Sequence, residues 1–430
     1  METGLITAVI GARQVGKTTM LLKLQELIAA KGPVAGAMIF YFTFDDPLLR
    51  AELYRDAKHL EREIERRTGM PFPGDKPVLI IIDEVQKVPL IFDWLKLVYD
   101  RHCENLRLVL SGSSSPELRL GSAESLAGRI TFLRLFPLSL REIIKSAWGL
   151  ALPPPLWDIL GGTHPMKDFI SRQSLLYSHK AELENLLERI LLEGCLPAVY
   201  AADTPAEKLL RLQSMIETYL ERDIRAMQEI GDLNSYVSVL KTISYEIGSL
   251  LNLSSLSSDL GIAYNTLKKY ISILEDTFVL NILAPMVPRV RKRSVKSSKV
   301  YFFDVGIANM LVKRTEREHI HGPVGGFLFE NIMLKSFEAE NRNRLARKNC
   351  YFWRDYDGHE IDLVVSAGAH LFPVEIDYGK NLPREKLRNF KAFFEQFPES
   401  LYGIFLYRGE LKEEQLGERK IFLIPWWLWW

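Results

Sequence analysis

Eight residues near the start of the chain, Gly11-Ala12-Arg13-Gln14-Val15-Gly16-Lys17-Thr18, restrict the fold more than any other feature. The apolar run Ala8-Val9-Ile10 leads into them and a helical pattern from Thr19 to Ala30 leads out. Two glycines at this spacing let the backbone wrap a phosphate chain, with its N–H groups turned inward at a helix N-terminus. A strand, this loop and a helix in that order call for an α/β layer built on a parallel sheet. Gly11, Arg13, Gln14, Val15, Gly16, Lys17, Thr18 and Thr19 are therefore expected to hold ATP. Lys17 is expected to reach the β- and γ-phosphates, and the Thr18 hydroxyl to ligate Mg²⁺.

A second element strengthens the first. Val78-Leu79-Ile80-Ile81-Ile82-Asp83-Glu84 is a continuously apolar run ending in two acids. Carboxylates side by side at the tip of a buried strand are costly unless a cation or a reaction compensates them. Asp83 is expected to hold Mg²⁺ through water, and Glu84 to polarise an attacking water. The next strand-like run, Leu108-Val109-Leu110, ends in hydroxyls, and Ser113 or Ser111 could sense the γ-phosphate. Arg129, in Leu126-Ala127-Gly128-Arg129, stands where an arginine finger acting on a neighbouring subunit's nucleotide would stand; a surface ion pair is the alternative.

The 430 residues exceed what one ordinary core holds, so two to three domains are expected. The 55 basic and 54 acidic residues nearly cancel, which leaves local clustering as the guide to charged partners. Three scattered cysteines argue against a disulfide framework or a zinc site. No apolar run reaches the roughly 18–20 residues of a membrane span, so the reading is a cytoplasmic protein without a membrane segment. Short β-branched runs alternate with helical patterns over 1–150; Leu152-Pro153-Pro154-Pro155 marks a boundary; 165–280 reads as helices; strand-like runs return at 349–354, 360–366, 371–377 and 401–407.

The motifs "VIGARQVGKTT", "IIDEVQKVP", "LSGSSS", "SLAGR" and "FPLSLRE", with later "GCLPAV", "YLERDI", "VYFFDVGI" and "YFWRDYDGHEIDLVV", resemble a bacterial and archaeal family of AAA-type P-loop ATPases. The resemblance covers nearly the whole chain. It implies a RecA/AAA-like αβα core over 1–150, a helical and winged-helix part over 165–310, and a restriction-endonuclease-like α/β domain over 320–430. It also implies ATP-dependent self-association, as a homo-oligomer with Arg129 acting in trans. Members ordinarily carry a longer stretch ahead of the first strand, so the start of this sequence is expected to be shortened.

Within the middle part, residues 254–270 read as helix, tight turn at Gly261, helix. Tyr264, Asn265, Lys268 and Lys269 then lie on the front of a recognition helix. Arg289 to Lys296 carries five basic residues and no acid, and Arg291, Lys292 and Arg293 at its centre suit DNA phosphates. The alternative is a winged helix that only packs against protein.

A restriction-endonuclease-like domain needs an acid on a helix, an acid at a strand end and a Glu-x-Lys on the next strand. Glu330, Asp362 and Glu375-Ile376-Asp377 stand at those places. Asp377 replaces the lysine with the opposite charge, so this domain is expected to be catalytically degenerate unless Lys380 swings back around Gly379. The sequence thus supports an ATP-driven, DNA-associated switch. An ATP-regulated metal-dependent nuclease and a signalling NTPase that never touches DNA are the alternatives.

Overall fold

The computed structural model describes residues 5–30, 37–72, 76–112, 125–152, 166–224, 230–286, 297–342, 344 and 347–429. The chain divides into two compact units: Met1–Phe136 with Asp276–Phe278, and Pro137–Glu275 with Val279–Trp430.

The first unit is built on five parallel strands: β1 (Ile6–Ile10), β2 (Met38–Thr43), β3 (Val78–Asp83), β4 (Leu106–Gly112) and β5 (Ile130–Arg134), in the order β2-β3-β4-β1-β5. Helices α1 (Lys17–Ala30), α2 (Pro47–Arg55), α3 (His59–Thr68) and α4 (Ile91–His102) connect them. All six residues of β3 are buried, as a strand covered on both faces requires. Burying each isoleucine of the run Ile80-Ile81-Ile82 contributes roughly 2 kcal/mol. α4 turns Ile91, Phe92, Trp94, Leu95 and Val98 inward and carries Arg101 in its last turn, where a positive charge suits a helix C-terminus. Register places Ile10 beside Gly112 and Thr43 beside Asp83. The C-terminal ends of β1, β3 and β4 therefore lie side by side, where open α/β sheets bind ligands.

The second unit begins with α5 (Leu140–Trp148), followed by α6 (Met166–Leu176), α7 (Lys180–Glu193), α8 (Pro205–Thr218) and α9 (Leu233–Tyr245). Ser139 and Glu142 form a reciprocal capping box at the start of α5. The apolar set Leu183, Leu186, Leu187, Ile190 and Leu191 is the buried stripe of α7. Next come α10 (Leu253–Leu260) and α11 (Tyr264–Asp276), then the antiparallel pair β6 (Leu280–Leu283) and β7 (Lys299–Phe302). Asn252 caps α10, and Gly261 takes the left-handed conformation (φ 65°) between α10 and α11.

After α12 (Val305–Leu311), the 20-residue α13 (Pro323–Arg342) leads into a mixed sheet. Its strands are β8 (Asn349–Arg354), β9 (Glu360–Ala367), β10 (His370–Ile376), β11 (Tyr402–Tyr407), β12 (Lys412–Leu416) and β13 (Arg419–Pro425), ordered β12-β13-β11-β10-β9-β8. Helix α14 (Arg384–Gln396) connects β10 to β11, which run parallel.

Packing joins parts of the chain that the sequence reading kept apart, and it settles where the end of the chain lies. The spans 165–310 and 320–430 share one continuous core, in which Leu187, Leu274, Phe329, Ile404 and Trp426 belong to the same apolar cluster. The aromatic end of the chain is interior: Trp426, Trp427, Leu428 and Trp429 are buried, Trp429 stacks on Phe337 at 5.3 Å, and its indole N–H donates to the Met333 carbonyl at 2.9 Å. Among the described residues, no helix is long and apolar enough to cross a membrane.

Candidate nucleotide site and a second charged cavity

The loop between β1 and α1 folds as its glycines require. Gln14 (φ 56°) and Gly16 (φ 96°) both adopt positive φ, which turns successive amides toward one side. Gly11 has no room for a side chain: a Cβ there would stand 2.5 Å from the Leu135 carbonyl oxygen. Val15 is buried beneath the loop and Gln14 is exposed. Lys17 is buried, and its Nζ donates to the Gly11 and Ala12 carbonyls, each at 2.9 Å. Thr18 and Thr19 open α1 on its exposed side.

Asp83, at the end of β3, is the hub of the site. Its carboxylate accepts from the Thr18 hydroxyl at 2.7 Å, from the Tyr41 hydroxyl at 3.0 Å and from the Ser111 hydroxyl. Burial and the neighbouring Asp83 charge push the Tyr41 hydroxyl well above its ordinary pKa, which keeps it a donor. Glu84 takes a left-handed conformation (φ 57°), a strained setting for a non-glycine residue of the kind that gathers at functional sites. Its backbone N–H donates to Ser111 Oγ at 3.1 Å, and its carboxylate accepts from the Gln86 amide at 2.7 Å. Thr18 and Asp83 thus meet as an oxygen pair that fits Mg²⁺ on a phosphate chain.

The structure brings together Lys17, Thr18, Asp83, Glu84 and Ser111. Tyr41 and Gln86 join them, two residues the sequence reading did not single out. Ser113 lies outside the described residues. Arg129 precedes β5, whose first residue pairs with Ile6 at the opposite end of β1 from the loop. Within its own chain Arg129 forms a two-point ion pair with Asp100 on α4, at 2.5 and 3.0 Å, which holds the Asp100 carboxyl below its usual range.

A second group of charges lies in the other unit, beside a cavity of about 500 Å³. Glu330 on α13 and Asp362 on β9 line this cavity, and Glu375 on β10 is fully buried behind it. The cation expected to be missing is supplied by another element. Lys386 on α14 places Nζ 2.6 Å from Glu375 and 3.3 Å from Asp362, and Asn389 one turn later donates to Glu375 at 2.8 Å. Asp377 instead accepts from the Gly379 backbone N–H at 2.6 Å, and Lys380 is exposed. The loss of positive charge inferred from Asp377 is therefore corrected: α14 folds back over β10 and returns a lysine to the carboxylates. Burial raises the Asp362 carboxyl, but the ammonium groups of Lys386 and Lys299 outweigh it and hold the group far below normal. Burial and the Asp362 charge push Glu375 well above normal.

Residues 3–144 match the family model described as the AAA domain. The phosphate loop, the Thr18–Asp83 pair and the five-stranded parallel sheet all fall within that span. This part of the chain is a P-loop AAA-type domain. Residues 184–318 and 325–429 match two further models, each described as a domain of unknown function. An uncharacterized protein of Mycobacterium tuberculosis is 26% identical over 372 residues, covering 86% of this chain and 70% of that protein. One from Methanocaldococcus jannaschii is 21% identical over 364 residues, covering 81% and 74%. Among solved structures, the ORC2 protein of Aeropyrum pernix in its ADP form aligns at a TM-score of 0.32 with 14% identity, over 72% of this chain and 88% of that one. The ORC1 protein of the same organism, in complex with DNA, aligns at 0.23 with 15% identity, over 72% and 86%. Both alignments are too loose to carry function.

Outside the AAA-type domain, Tyr264, Asn265, Lys268 and Lys269 form one exposed face of α11, while Leu267, Tyr270, Ile271 and Leu274 are buried on the other. Arg291, Lys292 and Arg293 lie outside the described residues. Lys386 carried a sequence signal that could have been used. It shares the inward face of α14 with Asn389, Phe390 and Phe393, and a lysine on a buried stripe needs a carboxylate partner.

Proposed function

We propose that the protein is an ATP-hydrolysing AAA-type switch that associates with DNA through a winged helix. The observation that carries the ATPase reading is the Asp83 hub, with the Thr18 hydroxyl on one oxygen and Glu84 held beside it in a strained conformation. In this reading the loop amides and Lys17 bind the β- and γ-phosphates. Thr18 and Asp83 would hold Mg²⁺, which would supply positive charge against the phosphates. Glu84 orients a water whose oxygen bonds to the γ-phosphorus and takes its proton, while the bond to the ADP oxygen breaks. Ser111 keeps Asp83 and Glu84 in register. Arg129 leaves Asp100 to reach the nucleotide of a neighbouring copy, so that nucleotide state governs self-association.

The helix–turn–helix of α10 and α11 followed by the β6–β7 ribbon supports the winged-helix reading, and the face of Tyr264, Asn265, Lys268 and Lys269 is its DNA-facing surface. The test for the ATPase is phosphate release: Lys17→Ala and Glu84→Gln should each lower it by about 10²-fold or more. Unchanged release in both would end the hydrolysis reading. For DNA, Lys268→Ala and Lys269→Ala should each reduce the salt slope of binding by roughly one. If DNA does not bind with ATP, with ADP or without nucleotide, a protein-interaction NTPase is what remains.

A second reading, an ATP-regulated metal-dependent nuclease, is favoured by Lys386, which stands against Asp362 and Glu375 where Asp377 could not serve. Plasmid nicking with Mn²⁺ that disappears in Asp362→Ala would support it. Nicking that survives that substitution would refute it.

A further inference from the structure

The helical part of the second unit holds a buried cation that no carboxylate offsets. Arg314 follows α12 and is only 8% exposed. A guanidinium carries five N–H donors, and this one gives Nη1 to the Asn309 side-chain oxygen at 2.9 Å. Among the described residues it forms no ion pair. Burial lowers its pKa, and the group acting the other way is the Tyr245 hydroxyl at the end of α9, not an acid. Asn309 fixes the arrangement, because its amide nitrogen donates to the Leu191 and Leu192 carbonyls, each at 2.9 Å. Those bonds turn the Asn309 oxygen toward the guanidinium. They also satisfy carbonyls in the last turn of α7, so Arg314 is not needed for that task.

Arg314 lines a notch of about 60 Å³ bordered by the end of α7, the start of α8 and α12. α7 presents its C-terminus and α8 its N-terminus, so the two dipoles oppose each other and the side chains decide the charge. Lys208 and Glu193 cancel in an ion pair at 2.8 Å. The Arg314 charge is what remains. Leu209, Leu212 and Met310 supply apolar walls. A buried charge without a partner is costly, and an apolar residue of similar volume commonly serves a fold better. A cation kept on the wall of a notch therefore marks the place of an anion from outside the chain.

Size and chemistry narrow that anion. Pockets that enclose drug-sized molecules run to about 300–1,000 Å³, whereas this notch has room for roughly four waters, the end of one side chain. A phosphoryl group brings three strong acceptor oxygens and needs more donors than one guanidinium, since Lys208 is committed to Glu193. A carboxylate takes two parallel N–H groups of a guanidinium, and the apolar walls suit its methylene stem. Leu209 on the wall is 38% exposed and Tyr245, close to Arg314, is 66% exposed. Both offer apolar surface to the neighbours of an inserted acid.

We propose that this notch is a docking point for a partner protein, which sets an aspartate or glutamate side chain on Arg314 from a segment with aliphatic neighbours. The notch falls inside 184–318, the span that matches a domain of unknown function, and its use does not depend on ATP hydrolysis or DNA binding.

The test is fluorescence anisotropy of the full-length protein with a fluorescein-labelled peptide carrying one glutamate between leucines, and with its glutamine twin. The glutamate peptide should bind tighter by about tenfold or more. Arg314→Gln, which keeps an amide donor for Asn309, should remove the difference. Arg314→Lys, a point charge without the planar fork, should restore part of it. Equal binding of the two peptides, no binding of either, or a difference that survives Arg314→Gln overturns the proposal. If Arg314→Gln does not fold, Leu209→Glu tests the notch from its exposed wall. It brings a carboxylate to Arg314 and should exclude the glutamate peptide, so unchanged binding overturns the proposal. Propionate has the stem and charge of a glutamate side chain and should displace the peptide. A thermal shift with propionate that Arg314→Gln removes, with neither peptide bound, would assign the notch to a free acid and overturn docking.

Discussion

Replacing Lys386 by methionine removes one charge and keeps most of the stem, so its effect isolates the ion pairs at the centre of the C-terminal sheet. Glu375 is 0% exposed and would be left with the Asn389 amide at 2.8 Å. Asp362 would keep Lys299 at 3.0 Å and the Ile376 backbone N–H at 3.0 Å. Removing one partner of a buried pair costs about 3–5 kcal/mol when the survivor stays charged. If Glu375 instead takes a proton, the cost falls to about 1 kcal/mol, the scale of one net hydrogen bond. Glu375 already titrates above the ordinary carboxylate range because of burial and Asp362, and without Lys386 it moves further up. A carboxyl with a raised folded pKa binds its proton more tightly in the folded state than in the unfolded one. The stability that proton confers is complete below the unfolded value and is lost as pH rises. Lys386→Met should therefore cost little at about pH 5 and about 3–5 kcal/mol at about pH 8. Urea unfolding followed by tryptophan emission reads both values, and Lys386→Met with Glu375→Gln should recover most of the loss at high pH. A penalty equal at both pH values, or one below about 1 kcal/mol at pH 8, would refute the reasoning, because Lys386 would then behave as a solvated surface charge.

Two other substitutions probe the scaffold. Gly11→Ala puts a Cβ 2.5 Å from the Leu135 carbonyl, a backbone atom that cannot swing aside, so the loop must shift; binding of a fluorescent ATP analogue should weaken by about tenfold or more, with the circular dichroism spectrum unchanged. Asp304 accepts from the Cys195 and Gly306 backbone N–H groups at 2.6 and 2.9 Å, and burial pushes its carboxyl up to about 6. Its folded value is raised, so wild-type stability should decline as pH climbs from the ordinary carboxyl value of 3.8 to about 6. Asp304→Asn should lose that slope and, by setting an amide donor against a backbone donor, cost about 2–3 kcal/mol in denaturant unfolding at neutral pH.

The nucleotide site was legible because its chemistry is local in sequence. A loop of eight residues carries its own glycines, and the acids of β3 follow directly on the apolar run that buries them. Tyr41 and Gln86 escaped notice for the opposite reason. Tyr41 reads as one more aromatic in a strand, and only the pairing of β2 with β3 sets its hydroxyl on Asp83. The helices of the second unit were visible in their apolar spacing, whereas β12 was hidden by composition: Lys412-Glu413-Glu414-Gln415-Leu416 is a polar edge strand that pairs with β13. A greasy, tryptophan-rich end such as 426–430 suits a core and an interface equally. Its contact with Met333 and Phe337 on α13 resolves that, and no pattern within the tail could have announced it.

The C-terminal charges show where reading along the chain gives out. A motif such as Glu-x-Lys encodes a geometric relation, an ammonium beside two carboxylates, through one convenient way of achieving it. When Asp377 broke the motif, reading the sequence alone could only subtract the lysine, because the replacement stands 11 positions after Glu375 on a different element. Lys299 is further still, 63 positions from Asp362, and enters from the strand pair that follows α11. The fold has conserved charge balance where the motif did not: buried carboxylates cannot remain unpaired at several kcal/mol each, so any chain that keeps Asp362 and Glu375 inside must bring cations to them from somewhere. In such a site the more dependable sequence signal is a lysine on an otherwise apolar helix face or at the head of an apolar strand, which marks a carboxylate partner that the linear order does not reveal.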